Sequence, residues 1–156
     1  MQLTKSLNQD LVKHLQYQTP LLAGPETTVR EAIQLLQENK TGCLIACDSS
    51  GKAVGIFTEQ DVFRHVIGQR IELDSPIREV MSTDLAVVQD TDPITLVIRL
   101  LYERRLRHLP VLNDDGKPIG VVSVRRMMEY VVEHFPQTVY NLPPDPSLVL
   151  DGREGA

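Results

Sequence analysis

Thr58 and Asp61, in the stretch "GIFTEQD" (residues 55 to 61), set a hydroxyl and a carboxylate three residues apart where an apolar run gives way to a helical spacing. Two chemistries fit that pair. In a capping box, Thr58 accepts from the amide near position 61 and Asp61 reaches back to the amide of Thr58, which stabilises a helix start by about 0.5–2 kcal/mol without any ligand. Alternatively, the same helix start offers unpaired amides and a positive dipole end to a phosphate, with the Thr58 hydroxyl as an added donor. A carboxylate there also accepts well from a vicinal diol such as a ribose.

Sixty-five positions later the device returns as "GVVSVRR" (residues 120 to 126), with Ser123 for Thr58 and Arg126 for Asp61. Ser123 can still cap. Arg126 cannot accept from an amide, and its charge opposes the helix dipole by roughly 0.3–1 kcal/mol. Either the second copy has lost a ligand and drifted, or Arg125 and Arg126 face an anion. Drift carries an expectation: an acid at 126 would restore the box and stabilise the fold by about 0.5–1.5 kcal/mol. On both readings the two copies are unequal.

The elements that must position these residues repeat with them. Sliding the chain by 65 aligns residues 28 to 62 with 93 to 127 without a gap, and eight of those 35 positions are identical, among them Leu36/Leu101, Gly51/Gly116 and Gly55/Gly120. Duplication explains this better than chance. In the first copy Val29, Ala32, Ile33 and Leu36 make a helical stripe opened by a Thr28-x-x-Glu31 box. "CLIAC" and "AVGIF" read as strands joined through "DSSG", and Val62, Phe63, Val66 and Ile67 return to a helical spacing. In the second copy Pro93 suits a first helical position, Ile94, Val97, Ile98 and Leu101 form the stripe, "HLPVL" and "PIGVV" the strands, and Met127, Met128, Val131 and Val132 the closing helix. Extended lead-ins are expected at Leu21 to Ala23 and Ala86 to Val88. Ser75 and Pro76 open a short linking helix. Leu3, Leu7, Leu11 and Leu15 suggest an N-terminal helix over 1–19. Residues 20–72 and 73–135 hold the two copies, and a Pro-rich, flexible tail covers 136–156.

A chain of 156 residues buries roughly 68–70% of its unfolded surface, enough for one core or two small halves sharing one. No stretch of some 18 apolar residues and no secretory segment is found, which points to a cytoplasmic protein without membrane contact. Cys43 and Cys47 would stand roughly 13 Å apart on a strand, too far to chelate one ion. The four histidines fall in no ligand spacing, so no metal is expected. The net charge of −5 disfavours nucleic acid, as does the aromatic content of 4%. The charge is uneven, however: residues 99 to 126 hold seven basic against three acidic side chains. Such a stretch is either a solvated face or a place for an anionic ligand. No nucleophile and base pairing, P-loop or carboxylate pair suggests an enzyme.

A helix, two strands, a glycine, two apolar residues, Thr or Ser, two free positions and an acid resemble the cystathionine-beta-synthase (CBS) domain, and two in tandem look like a Bateman module. "LPV" (109 to 111) and "VMSTD" (80 to 84) are similar to further landmarks of that family. The resemblance implies an α+β fold of two βαββα-like halves related by a pseudo-twofold axis and packed through their sheets. It implies an adenosyl ligand (AMP, ATP or S-adenosylmethionine) in the cleft between them, and no required cofactor. By resemblance Thr58 meets phosphate and Asp61 ribose. Adenine is held near Gly42, Cys43 and Leu44 and the lead-in Leu22 and Ala23, while Arg107 and His108 complete the site. Ser123 and Arg126 mark a possible second site. The function so implied is that of a regulatory sensor acting on an unidentified partner protein, as a homodimer; the alternative is a ligand-free dimerisation scaffold.

Overall fold

The computed structural model of the chain describes Leu7 and residues 9–134. The tail expected over 136–156, and residues 1–6 and 8 of the expected N-terminal helix, lie outside the described residues.

The first half is built as β1 (Leu22–Ala23), α1 (Val29–Glu38), β2 (Cys43–Cys47), β3 (Ala53–Thr58) and α2, a single turn Glu59–Asp61 that continues as a π-helical stretch Val62–Gly68. Thr28 caps α1 as the spacing predicts: its hydroxyl accepts from the Glu31 amide at 3.1 Å, and the Glu31 carboxylate accepts from the Thr28 amide at 3.1 Å. Val29, Ala32 and Leu36 are the buried stripe. β2 pairs antiparallel with β3 and parallel with β1. The second half repeats the order as β4 (Val88–Gln89), α3 (Ile94–Glu103), β5 (His108–Leu112), β6 (Pro118–Ser123) and α4 (Val124–His134).

The repeat extends to irregularities. Register breaks at Ala46/Cys47 and again at Val111/Leu112, and left-handed backbone at Lys40 recurs at Arg105, each 65 residues on. Two local expectations shift by a position. Pro93 and Pro76 are not first helical residues but the cap residues before α3 and before a 3-10 turn Ile77–Glu79, both in extended backbone. A proline tolerates that place because the cap needs no helical dihedral and no amide donor.

The largest departure concerns the N-terminal stripe. The chain is helical at Leu7 and Gln9, extended at Leu11, and makes a 3-10 turn at Val12–His14. The amides of Val12 and Lys13 donate to the carbonyls of Asp92 and Asp90, so the second half satisfies them and an α-helix need not. Val12 and Leu15 are fully buried there among Val88, Ile94, Leu109 and Tyr130. Sixty-five residues later, Ile77 and Val80 close the first core against Val29, Leu44 and Phe57. Each core is thus completed by the segment that precedes the other half in the chain.

The halves meet sheet to sheet through Cys43, Ile45 and Val121, and the Ala53 amide donates to the Gly116 carbonyl across the join at 3.0 Å. The crossing segments also extend the sheets, Gln18 bridging Val121 and Ser82 bridging Ile56. They press close: Met81 lies over Gly55 and the Tyr17 ring over Gly120, with no room for a Cβ at either. That explains why both glycines stand at the same place in the repeat.

Cys43 and Cys47 are free thiols. Burial, reinforced by Glu59, pushes Cys43 up from 9.0 to about 12. A raised folded value favours the protonated thiol in the native state, so this contribution is intact below pH 9 and is lost as pH rises from 9 towards 12. About 1 kcal/mol should be gone by pH 9.5. Denaturant melts between pH 8 and 10 test this, and Cys43→Val should flatten the slope; an unchanged slope in the variant would show that the thiol is not responsible. No helix among the described residues is long and apolar enough to cross a membrane.

Candidate functional site

Thr58 ends β3 in extended backbone and hands the chain to α2, so its hydroxyl and the Asp61 carboxylate are fixed by the turn between them. The box is fully formed. Asp61 Oδ2 accepts from the Thr58 amide at 2.8 Å and from the Thr58 hydroxyl at 3.1 Å, and the Asp61 amide donates to Thr58 Oγ1 at 3.3 Å. Asp61 is only 6% exposed, and its other oxygen faces His65 Nε2 at 4.0 Å.

This turn forms one wall of a cavity of about 310 Å³ between the halves. Thr58, Asp61 and Arg64 come from the first half, with Ile56 beneath them. Asp84, Leu85 and Ala86 arrive on the crossing segment, and Arg104 to His108 come from the second half. Arg104 Nη2 pairs with Asp84 Oδ2 at 2.8 Å and with the Asp84 carbonyl at 3.3 Å, tying the α3 terminus to the crossing segment.

His108 also borders a second cavity with Arg107, Lys40, Gly42, Glu59, Ser123 and Arg125. The two hinges at its floor mirror each other: the Glu59 amide donates to the Gly42 carbonyl and the Val124 amide to the Arg107 carbonyl, both at 3.0 Å. Burial holds the His108 imidazole below its ordinary value; Glu59 pulls it up and Arg107 pushes it down. A Cβ on Gly42 would stand 2.9 Å from His108 Cε1. Gly42→Ala should therefore displace the imidazole while costing about 1 kcal/mol or less, since the far end of a side chain can move. Histidine ring shifts in NMR spectra report it, and an unmoved His108 would show the approach to be looser than drawn.

Of the residues singled out from the sequence, Thr58, Asp61, Arg107 and His108 share the first cavity. Gly42 borders the second. Cys43 and Leu44 are buried in β2, and Leu22 and Ala23 form β1, none of the four lining the first cavity. The cavity is walled instead by Ala86 and Arg107 to His108, which stand one repeat on from Leu21 and from Gly42 to Cys43. Arg64 and Arg105 line it too, though neither was singled out. Arg64 lies one turn beyond Asp61, and Arg105 two residues before Arg107.

Ser123 and Arg126 form half a box. The Arg126 amide donates to Ser123 Oγ at 3.1 Å, but the guanidinium turns along α4 to Glu129 at 3.2 Å and Glu133 at 3.3 Å. Two carboxylates in the same helix therefore satisfy the charge.

The CBS domain family model matches residues 12–68 and 77–133, again 65 apart and including both crossing segments. The chain belongs to the CBS domain family. A CBS domain protein from Pyrobaculum aerophilum, solved complexed with AMP, is 26% identical with a TM-score of 0.70, over 75% of this chain and 89% of that one. An uncharacterized conserved protein from Pyrococcus horikoshii is 28% identical with a TM-score of 0.73, over 79% and 92%. An uncharacterized 17.7 kDa protein from Acidianus ambivalens is 29% identical over 109 residues, and the match spans 70% of this chain and 65% of that relative's length. The CBS pair explains the shared architecture of two three-stranded sheets and crossing segments.

Proposed function

We propose that this CBS pair binds an adenosyl ligand of the AMP, ATP or S-adenosylmethionine class in the cleft walled by Thr58 and Asp61 from one half and by Arg107 and His108 from the other, and that binding alters a surface shown to a partner protein. The observation that carries the reading is the cavity of about 310 Å³ between the halves, lined by a hydroxyl, a buried carboxylate and several guanidinium groups. The AMP complex of the Pyrobaculum aerophilum relative supports it. Asp61 Oδ1, the oxygen left outside the box, accepts from the ribose. Mass spectrometry of small molecules released from heat-denatured protein tests the ligand class, and calorimetry on stripped protein tests the site. Protein that releases no adenosyl compound and shows no heat with any of the three sinks the reading.

The second reading, a ligand-free scaffold, is favoured by one observation: the Thr58–Asp61 box is complete without a ligand. Both readings include a homodimer. Tyr102 is 84% exposed, and it stands with Ile98, Val124, Met128 and Val132 along α3 and α4, while Phe63 and Ile67 are exposed on α2. Burying that face would remove a large apolar surface from water. Light scattering should give twice 17.5 kDa at micromolar concentration, and Met128→Asp should halve it. A monomeric parent protein would remove the dimer from both readings.

A further inference from the structure

Asp61 is held by one carboxylate oxygen and left open at the other. Oδ2 accepts from the amide and the hydroxyl of Thr58, while Oδ1 faces His65 Nε2 at 4.0 Å. On its far side the imidazole is anchored, with Nδ1 lying 2.7 Å from Gln69 Oε1. That amide oxygen only accepts, so Nδ1 carries a proton in both charge states of the ring, and Nε2 is the atom that gains or loses one. The stretch that carries His65, Val62–Gly68, is wound as a π-helix, a rare winding that recurs at functional sites. The His65 side chain is 21% exposed, so protons reach it from solvent while its charge is only partly screened from the carboxylate.

Resting on the reading that Asp61 Oδ1 accepts from the ribose, we infer that His65 sets how much of that oxygen the ligand can use. A neutral ring leaves Oδ1 to both hydroxyls of the diol. A ring protonated at Nε2 closes the gap and donates to Oδ1, and one hydroxyl then lacks a charged acceptor. Nucleotide binding and protonation of His65 therefore oppose each other, and by linkage the bound ligand drives part of a proton from Nε2 to solvent. Falling pH weakens the hold on the diol and rising pH restores it, across the span of about pH 5 to 8 in which histidines change charge. The Thr58–Asp61 box persists in both states because it uses Oδ2, so the switch acts on affinity and not on the helix start.

The other charged groups around the ring do not duplicate this role. Arg64, beside it on the same stretch, lines the cavity, and the loop whose Ile71 amide donates to the His65 carbonyl carries Arg70 and Glu72. On the crossing segment Asp84 is paired with Arg104. Among the described residues, no carboxylate but that of Asp61 comes within 4.0 Å of the imidazole. His108, across the cavity, also titrates; burial holds it below its ordinary value, with Glu59 opposing and Arg107 reinforcing. Its charge acts on a ligand with or without a diol.

The experiment titrates AMP and ATP, each beside the dideoxy analogue that lacks both ribose hydroxyls, into nucleotide-stripped full chain at about pH 5.5 and about pH 8. Dividing one affinity by the other cancels the titration of the phosphate and of His108 and leaves the hold on the diol. That ratio should be at least about fivefold larger at the higher pH. His65→Gln, which takes up no proton, should make it equal at both, and His65→Lys, charged throughout, should keep it near the lower value. In NMR spectra of the parent, the ring resonances lost in His65→Gln should move towards the neutral form when AMP is added at about pH 6. A ratio that does not change with pH overturns the inference and leaves the adenosyl reading standing, as does a change that persists undiminished in His65→Gln. Dideoxy analogues that bind as tightly as their parents at both pH values overturn it together with the ribose role of Asp61. Silence from all four nucleotides overturns it together with the nucleotide half of the adenosyl reading.

Discussion

Asp61→Ala is expected to weaken an adenine ribonucleotide ten- to a hundredfold and to lower the stability of the free protein by about 1–2 kcal/mol. The two losses have different sources. Stability falls because the amide and hydroxyl of Thr58 lose their shared acceptor, Asp61 Oδ2, and because that turn is already mostly withdrawn from water. Affinity falls because the carboxylate is the one acid of the cavity that is not paired with an arginine, and a diol loses its charged acceptor. Asp61→Asn separates the two. Its amide oxygen can still accept from the Thr58 amide, so most of the stability should return, but it has no charge to offer a ribose, so most of the affinity should not. Urea melts and calorimetry on both variants check this. Asp61→Asn binding nucleotide as the parent does would reduce Asp61 to a capping residue and favour the scaffold.

Where the repeat shares side chains, the fold was legible in the sequence; where it shares only backbone roles, it was not. Leu36/Leu101, Gly51/Gly116 and Gly55/Gly120 anchored the 65-residue offset, and the helices and hairpins around them lie where the spacing put them. The crossing segments start on the same offset without one identity, Val12 answering Ile77 and Leu15 answering Val80, and then slip by one residue, Tyr17 answering Met81 and Gln18 answering Ser82, so self-comparison passed over them. They are short and aperiodic because their amides bond to the opposite half, and periodicity records only pairing within an element. The leucine spacing at Leu7, Leu11 and Leu15 therefore looked helical, although it serves a 3-10 turn pressed into the second core.

The same crossing bears on the candidate site. Thr58 and Asp61 were identifiable because a capping box is local in sequence. Of the opposite wall, Arg107 and His108 came only with the family resemblance, and Ala86 and Arg105 were not named as site residues, because the exchange of segments decides which copy faces which turn. Ala86 and Arg107 to His108 stand across from Thr58, while Gly42 borders the second cavity with Ser123 and Arg125. Charge offered a partial signal. The basic run from residue 99 to 126 splits in space, Arg104, Arg105 and Arg107 lining the first cavity while Arg126 turns to its own helix.

Arg126→Asp is the variant for which sequence and structure predict opposite signs. Judged from Ser123-x-x-acid alone, the substitution completes a capping box and removes a cation from a helix start, a gain of about 0.5–1.5 kcal/mol. Those terms still apply, since the Arg126 amide already donates to Ser123. Against them, the guanidinium lies between Glu129 and Glu133 with its side chain only 12% exposed. Removing it leaves Glu133 without its partner and Glu129 with Arg125 alone, at 3.4 Å, and an aspartate in its place adds a third negative charge to the same face of α4. The glutamates are about half exposed, so solvent screens part of the penalty. Loss of hydrogen bonds between charged groups, about 1.5–3 kcal/mol before that screening, still exceeds the capping gain. The net expectation is a destabilisation of about 1–2 kcal/mol that shrinks as salt is raised. Arg126→Asp combined with Glu129→Gln and Glu133→Gln should recover the loss, because the box remains and the repulsion is gone. Urea melts of the single and triple variants at low and high salt decide the sign. A stabilised single variant would mean that the cap outweighs the ion pairs and that Arg126 is a residue the fold merely tolerates.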